Sequence, residues 1–244
     1  MTFVSFLFVL VFAAVHAAVK FVGRISNASR RKLISVSGGV AIAYVFSITL
    51  PNLSTSQKQI DSQTSTGFLE TVNNDAYLVA MAGLLLTYAL EKVAHSFHRE
   101  DSVRDRLRSG NLYFLIPLIF YTLFNVVVGY LLLHGQMGTT KETIFYFAAL
   151  SVYLLTSDIS MRSINHRLFD KFGRWLLVAG VLAGWLFGLT VDLKDEWVSI
   201  IYAFISGGII YQVMQEEIPQ HRKSTFRYFA VGCALYTVLW LAVR

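Results

Sequence analysis

Asp158 is the residue whose position most clearly suggests chemistry, because its carboxylate lies inside the apolar segment 143–164. An ionisable side chain in such a segment is costly to bury, and in membrane proteins it marks an ion pathway or a proton relay. Arg162 follows four residues later, one helical turn away on the same face. The alternative is therefore an ion pair in which Arg162 extends toward the membrane surface and neutralises Asp158.

Two histidines near the end of another apolar segment could bind a metal ion. His95 and His98 are three residues apart, and Glu91 or Glu100 could supply a further ligand. Imidazole nitrogens and carboxylate oxygens are among the ligands that zinc prefers. The alternative is that both histidines lie on the solvated surface at a helix end.

Glu216, Glu217 and His221 lie around Pro219, near the end of a later apolar segment. They could form a gate, a proton acceptor or the acid–base pair of an intramembrane hydrolase, and a charged helix terminus is the alternative. The sequence contains no nucleophile elbow, no HExxH motif and no phosphate-binding loop. We therefore expect that the protein is not an enzyme.

The composition indicates which elements must position these residues. Of 244 residues, 55% are hydrophobic and only 15% are charged, whereas soluble domains have about 25% charged residues. At roughly 20 residues a span, this length has room for about seven to nine membrane-spanning helices and no sizeable soluble domain. The single cysteine, Cys233, excludes an intrachain disulfide and a thiolate metal cluster.

Eight apolar segments are each about long enough to cross ~30 Å of hydrocarbon as a helix. They are residues 2–19, 33–50, 76–93, 112–133, 143–164, 175–191, 198–214 and 228–243. Their length favours helices over the short alternating strands of a barrel. We predict an all-α polytopic membrane protein in which residues 1–244 form a single transmembrane domain.

The first segment has a second interpretation, because Val15-His16-Ala17 resembles a signal-peptidase cleavage site. No basic residue comes before it, and five follow it in the next loop, which is the reverse of a secretory signal. It is therefore retained as the first span.

The basic residues predict how the spans are oriented. Of the 21 lysines and arginines, 17 lie in or beside the first, third, fifth and seventh loops. By the positive-inside rule these loops are cytoplasmic and both termini lie outside, in a plasma or inner membrane. The sequence pI of about 9.4 then reports topology and contact with the lipid bilayer, and no nucleic-acid partner is expected.

The second and seventh segments share a pattern. Ser37-Gly38-Gly39 is followed by Pro51, and Ser206-Gly207-Gly208 by Pro219, with a spacing that differs by one residue. Since the two segments are predicted to cross in opposite directions, the pattern is typical of an inverted repeat. The alternative is that Ser-Gly-Gly and proline are general features of closely packed helices.

These segments resemble those of the ZIP (Zrt/Irt-like) divalent-metal transporters. Residues 37–51 are similar to that family's second span, residues 90–98 to the end of its third, and residues 206–219 to its seventh, with Glu216 at an acidic position. The resemblance implies eight helices, with helices 1–3 and 6–8 related as an inverted repeat, and both termini outside. It also implies transport of Zn²⁺ or another divalent cation.

Most metal-binding positions of the resembled family are replaced. The motif of the fourth span falls on residues 121–126 and that of the fifth on 157–162, while Ile48 and Ala183 stand where a histidine and a glutamate are expected. The candidates that remain along the substrate pathway are Thr122, Asn125, Ser157, Asp158, Arg162 and Glu216. Since zinc binds about four imidazole, thiolate or carboxylate ligands, Asp158 would be the main ligand of a degenerate site.

The expected function is therefore membrane transport of a divalent cation or another small solute. A non-transporting ZIP-like homologue that acts as a membrane partner or regulatory subunit is the alternative, and an intramembrane enzyme is a distant third. Gly180, Gly184 and Gly188 form a ridge in the sixth span. Such a ridge permits close helix packing within the chain or across a homodimer interface.

Overall fold

The computed structural model describes residues 2–22, 27–61, 75–96, 103–134, 140–217 and 226–243, and in these ranges every secondary-structure element is a helix. The helices are α1 (Thr2–Val22), α2 (Asn27–Tyr44), α3 (Leu50–Asp61), α4 (Ala76–Ser96), α5 (Val103–His134), α6 (Thr140–Ile164), α7 (His166–Leu168), α8 (Arg174–Thr190), α9 (Asp195–Glu217) and α10 (Phe226–Val243). Two π-helical segments, Val45–Thr49 and Phe169–Gly173, join α2 to α3 and α7 to α8.

A helix lies over each of the eight predicted apolar segments. In the described residues, six regions are long and apolar enough to cross a membrane, and the third predicted span, residues 76–93, is not among them. These six are Phe3–Phe21, Ser35–Ile60, Phe114–His134, Thr143–Ile164, His166–Thr190 and Asp195–Met214, and Phe226–Ala242 is a shorter apolar helix. Large apolar side chains such as Leu78, Leu123 and Val238 are exposed on the outside of the bundle. By length and composition, the fold is that of an α-helical polytopic membrane protein.

The helix that contains the second predicted span continues beyond Pro51, where the sequence pattern predicts an end. The backbone N–H of Leu50 bonds to the carbonyl of Val45, five residues back, so the chain makes one wide turn immediately before the proline. Proline cannot donate the hydrogen bond of a regular helix and crowds the preceding turn. The π-helical turn lies where this disruption begins, and the helix resumes as α3.

Helices α2 and α10 approach closely through glycines on both sides. A Cβ atom on Gly39 would collide with the backbone of Phe229 and Cys233, and one on Gly232 would collide with Val36. Such reciprocal contacts let two helix backbones meet without side chains between them.

Helices α4 and α9 meet in the same way. A Cβ atom on Gly207 would collide with the backbone of Ala80 and Leu84, and one on Gly83 would collide with Phe204. The two Ser-Gly-Gly segments thus lie in helices with equivalent partners, because α2 packs on the eighth predicted span and α9 packs on the third. Two further contacts fit the same correspondence, since α1 packs on α6 and α8 packs on α5.

The glycine ridge of α8 packs within the chain, against α5. Gly180 faces Thr122, Gly184 faces the backbone of Val126, and Gly129 of α5 faces the backbone of Val181 in return. This is the intrachain alternative of the sequence analysis. A homodimer stays a prediction that these contacts do not test.

Candidate functional site

The buried face of α1 introduces a residue that the apolar pattern conceals. Val9, Phe12, His16 and Val19 follow one another at intervals of three or four residues, and all are 0% exposed. This spacing places them on one side of the helix, which packs between α6 and α8. A histidine therefore lies in the middle of the bundle, on a face that is otherwise apolar.

His16 bridges Asp158 of α6 and Asn125 of α5. Its Nδ1 atom lies 2.7 Å from Oδ2 of Asp158, and its Nε2 atom lies 2.8 Å from Oδ1 of Asn125. Asn125 is 1% exposed and Asp158 is 2% exposed, so the three side chains are removed from the bundle surface. We call these three residues the histidine cluster.

The orientation of the Asn125 amide shows that one particular ring nitrogen of His16 carries a hydrogen. Its Nδ2 atom donates to the backbone carbonyl of Tyr121 at 2.8 Å, so Oδ1 is the atom that faces His16. An amide oxygen can only accept, and therefore Nε2 of His16 carries a hydrogen. The other ring nitrogen then shares one proton with Asp158.

The shared proton makes the pair electrically neutral in either of its two arrangements. The proton can reside on His16, which gives an imidazolium beside a carboxylate, or on Asp158, which gives two neutral groups. Loss of this proton would leave one negative charge, and gain of another would leave one positive charge. Both charged states are costly in apolar surroundings, so the pair is suited to hold one proton.

A second polar cluster includes Ser157, the residue of α6 that precedes Asp158. Tyr153 donates from its hydroxyl to Oε1 of Gln212 at 2.7 Å, and Nε2 of Gln212 donates to Oγ of Ser157 at 2.6 Å. All three side chains are buried. We call these residues the glutamine cluster, in which no member is a histidine or a carboxylic acid.

Arg162 does not pair with Asp158, which corrects the ion-pair alternative of the sequence analysis. Its Nε and Nη2 atoms each lie 2.8 Å from a carboxylate oxygen of Asp170, in a bidentate contact. Asp170 belongs to the π-helical segment between α7 and α8. The planar fork of arginine matches a carboxylate in this geometry, and Asp158 instead takes His16 as its partner.

Arg174 extends this contact to α1. Its Nε atom donates to the backbone carbonyl of Asp170 at 3.1 Å, and its Nη1 atom donates to the carbonyl of Ala17 at 2.9 Å. Ala17 follows His16, and Arg162 lies one turn beyond Asp158. Arg162, Asp170 and Arg174, which we call the arginine–aspartate clamp, therefore join the two helices that carry the ionisable pair.

The other predicted pathway residues have separate positions. Thr122 donates to the carbonyl of Leu118 at 2.7 Å, within its own helix. Ser157 belongs to the glutamine cluster. The side chains of Glu216 and His95, and the whole of His98, lie outside the residues that the structure describes, so the metal site proposed for the two histidines stays a prediction.

The histidine cluster offers few ligands for a metal ion. Over the described side chains, no three His, Cys, Asp or Glu residues come together. His16 and Asp158 supply one nitrogen and one carboxylate, and Asn125 adds a neutral oxygen that already accepts from His16. Zinc usually has about four ligands, so the arrangement fits a proton better than a zinc ion.

Sequence reasoning missed His16 and Gln212. His16 entered the sequence analysis only within a cleavage-site pattern, and because α1 is apolar on nearly every side, the residue types do not show which face of the helix is buried. Gln212 lies six residues after Ser206, in an apolar segment, and nothing along the chain connects it with Ser157.

Comparison with protein-family models and with curated proteins finds no match for this chain.

Proposed function

We propose that the protein is an integral membrane transport protein with ZIP-like architecture, whose central site binds and releases a proton. The observation that carries this proposal is the buried contact between His16 and Asp158. In such a site the proton is either the transported ion or the ion coupled to another solute. Chains of aspartate and histidine serve this role in membrane pumps and transporters.

In the proposed architecture the chain crosses the membrane eight times, both termini lie outside, and helices 1–3 and 6–8 form an inverted repeat. The equivalent glycine contacts of α2 with α10 and of α4 with α9 support the repeat. The basic loops support the orientation, because basic loops face the cytoplasm, here on the inner side of a plasma or inner membrane. In transporters built from inverted repeats, the ion site lies near the middle of the membrane, where the repeats meet.

The chemistry follows from the cost of charge in an apolar interior. While the bundle is closed, the neutral pair keeps its proton, since losing it would strand a carboxylate. A movement that admits water to one side lowers this cost and allows exchange with that side. Exposure of the pair first to one face and then to the other would carry a proton across the membrane.

Transport of a divalent cation is the second candidate. Once deprotonated, His16 and Asp158 would offer a nitrogen and a carboxylate oxygen, two ligand types suited to zinc. The cation would have to displace the shared proton and complete its ligands elsewhere. Metal transport should therefore release protons and weaken as the pH falls.

Flux measurements in liposomes test both candidates. The purified full-length protein is reconstituted, a potassium diffusion potential is applied, and proton flux is followed with an enclosed pH-sensitive dye. Parallel assays measure uptake of Zn²⁺, Mn²⁺ and Fe²⁺. We expect His16→Gln and Asp158→Asn to abolish the wild-type flux, because each substitution removes one of the two ionisable groups that share the proton.

Thr156→Val is a matched control, since it removes a hydroxyl from α6 that donates to the carbonyl of Val152 in the same helix. Its flux should equal that of the wild type. Proton flux that persists in Asp158→Asn would contradict the proposed site. Absence of proton and metal flux from correctly folded wild-type protein would reject transport and favour a membrane partner or regulatory subunit.

A further inference from the structure

A cavity lined by both polar and apolar side chains lies between α4, α5 and α6, one turn along α5 from Asn125. Its polar lining comes from Thr87 and Glu91 of α4, Tyr121 of α5, and Ser160 and Ser163 of α6; its apolar lining is Leu90, Pro117, Phe120, Met161 and Ile164. These residues lie toward the carboxyl ends of α4 and α6 and the amino end of the apolar part of α5. The predicted basic loops join the helices at this end of the bundle, which we call the basic end.

The wall of this cavity is connected to the ionisable pair. Tyr121 lines the cavity, and its backbone carbonyl accepts the hydrogen bond from Asn125. Asn125 in turn contacts His16. On α6, Ser160 lies two residues after Asp158, so the cavity and the pair share two helices.

The size of the cavity indicates what can occupy it. The centres of water molecules have about 50 Å³ of space there. At roughly 10–15 Å³ for each water by this measure, the cavity holds roughly three to five waters. This is enough for a hydrogen-bonded file that conducts protons, and too little for a large organic solute.

Glu91 gives the cavity a carboxylate. The side chain is half-buried, and the hydroxyl of Tyr211 on α9 contacts it through a hydrogen bond. The neighbouring Lys92 lies over the ring of Tyr88, with Nζ 5.6 Å from the ring centroid. A carboxylate at the edge of a narrow cavity with low-dielectric walls raises the local concentration of cations.

On the opposite side of the pair, the described side chains of α6 are closely packed. Beyond the two polar clusters, α6 continues with Leu150, Phe147 and Tyr146, all buried. The ring of Phe147 stacks on Phe8 of α1 with the centroids 3.5 Å apart. The cavity therefore lies on the basic-end side of the pair, and His16 and Asp158 themselves do not line it.

The geometry points to a water-filled vestibule that delivers protons from the basic end to His16 and Asp158, with Glu91 as the proton-collecting carboxylate. This inference rests on the proposed function, since it names the route by which the central pair exchanges its proton. Among the described residues, Tyr211 faces Glu91, and Tyr88 contacts Tyr211 through an aromatic pair with ring centroids 5.6 Å apart. Those of the central site are His16 and Asp158 themselves.

Cysteine accessibility tests the vestibule without requiring transport. The background variant is Cys233→Ser, which keeps a donor toward the carbonyl of Gly39. Ser160→Cys and Ser163→Cys are introduced singly into the full chain. Membrane-impermeant methanethiosulfonates that carry a trimethylammonium or a sulfonate group are then added from either side of oriented vesicles.

We expect both cysteines to react from the basic end, and the cationic reagent to react at least roughly tenfold faster than the anionic one because of Glu91. Glu91→Gln should remove most of this preference. Leu123→Cys is the control, because this position of α5 is 60% exposed on the apolar outer surface. A thiol in lipid does not ionise and stays unmodified.

Reaction of neither cysteine above the Leu123→Cys rate would overturn the vestibule, as would reaction from the opposite end. A charge preference that survives Glu91→Gln would overturn the role of Glu91. In the liposome assay, Glu91→Gln should slow proton flux several-fold while Thr156→Val does not. If wild-type protein shows no flux but the labelling is as expected, the transport proposal fails and the vestibule stands.

Discussion

Ser157 and Asp158 are neighbours on α6, yet they belong to clusters of different chemistry. The glutamine cluster joins α6 to α9 through hydroxyl and amide groups, and it stays neutral over the whole physiological pH range. The histidine cluster joins α6 to α1 and α5 through groups that exchange protons. Adjacent residues thus provide a fixed connection on one side of the helix and an ionisable one on the other.

The difference indicates which polar groups serve structure and which serve function. A buried amide with good partners stabilises the fold and needs no charge. A buried histidine beside an aspartate gains little net stability over apolar packing, because both charges must lose their hydration. In the proposed function, proton binding is the reason for its presence in the centre of an apolar bundle.

The largest expected effect comes from removing one member of the ionisable pair. Asp158→Ala should lower the free energy of unfolding by about 3–5 kcal/mol, because it leaves a buried imidazole without its partner. Unfolding in detergent mixtures of increasing denaturing strength measures this loss. Asp158→Asn keeps the shape and a hydrogen-bonding group, and should lose less. No loss of stability in Asp158→Asn would show that the charge of Asp158 is unimportant, and a loss equal to that of Asp158→Ala would show that its shape and hydrogen bond are.

An intermediate effect is expected in the glutamine cluster. Gln212→Ala should cost about 1–3 kcal/mol, since the hydroxyls of Tyr153 and Ser157 lose their partner. The double variant Gln212→Leu with Tyr153→Phe replaces polar groups by apolar ones and should recover part of the loss. The same unfolding assay applies. A loss larger than that of Asp158→Ala would reverse the comparison between the clusters.

The smallest effect is expected at the arginine–aspartate clamp. Asp170→Asn should cost about 0.2–1 kcal/mol, because both partners are partly exposed. If the two side chains act together, adding Arg162→Gln should cost little more. Lys171→Gln changes an exposed neighbour and serves as the control. Additive losses in the double variant would contradict the bidentate contact.

The hydrophobic segments of the sequence were sufficient to predict where the helices lie. Long apolar runs leave few alternatives to helix, and α1, α4 and α6 cover their predicted segments. The continuation past Pro51 was not predictable, because a proline ends a helix in most contexts. The structure accommodates it with a π-helical turn, which depends on backbone geometry and leaves no pattern in residue types.

The candidate site was predictable only in part. Asp158 stood out as a charge in an apolar segment, and Asn125 as a polar residue in another. The partner of Asp158 was missed because a spacing of four favoured Arg162, whereas His16 is 142 residues away in sequence. Contacts between distant helices depend on how the bundle packs, and one sequence without relatives does not specify that packing.

The glycine contacts have a mechanical consequence. The backbones touch in three helix pairs: α2 with α10, α4 with α9, and α5 with α8. We expect the two helices of each pair to move together. Helices α1 and α6 contain no glycine, and they meet through side chains such as Phe8 with Phe147 and His16 with Asp158. In the proposed proton site, a displacement of α1 relative to α6 would therefore separate the two groups that share the proton.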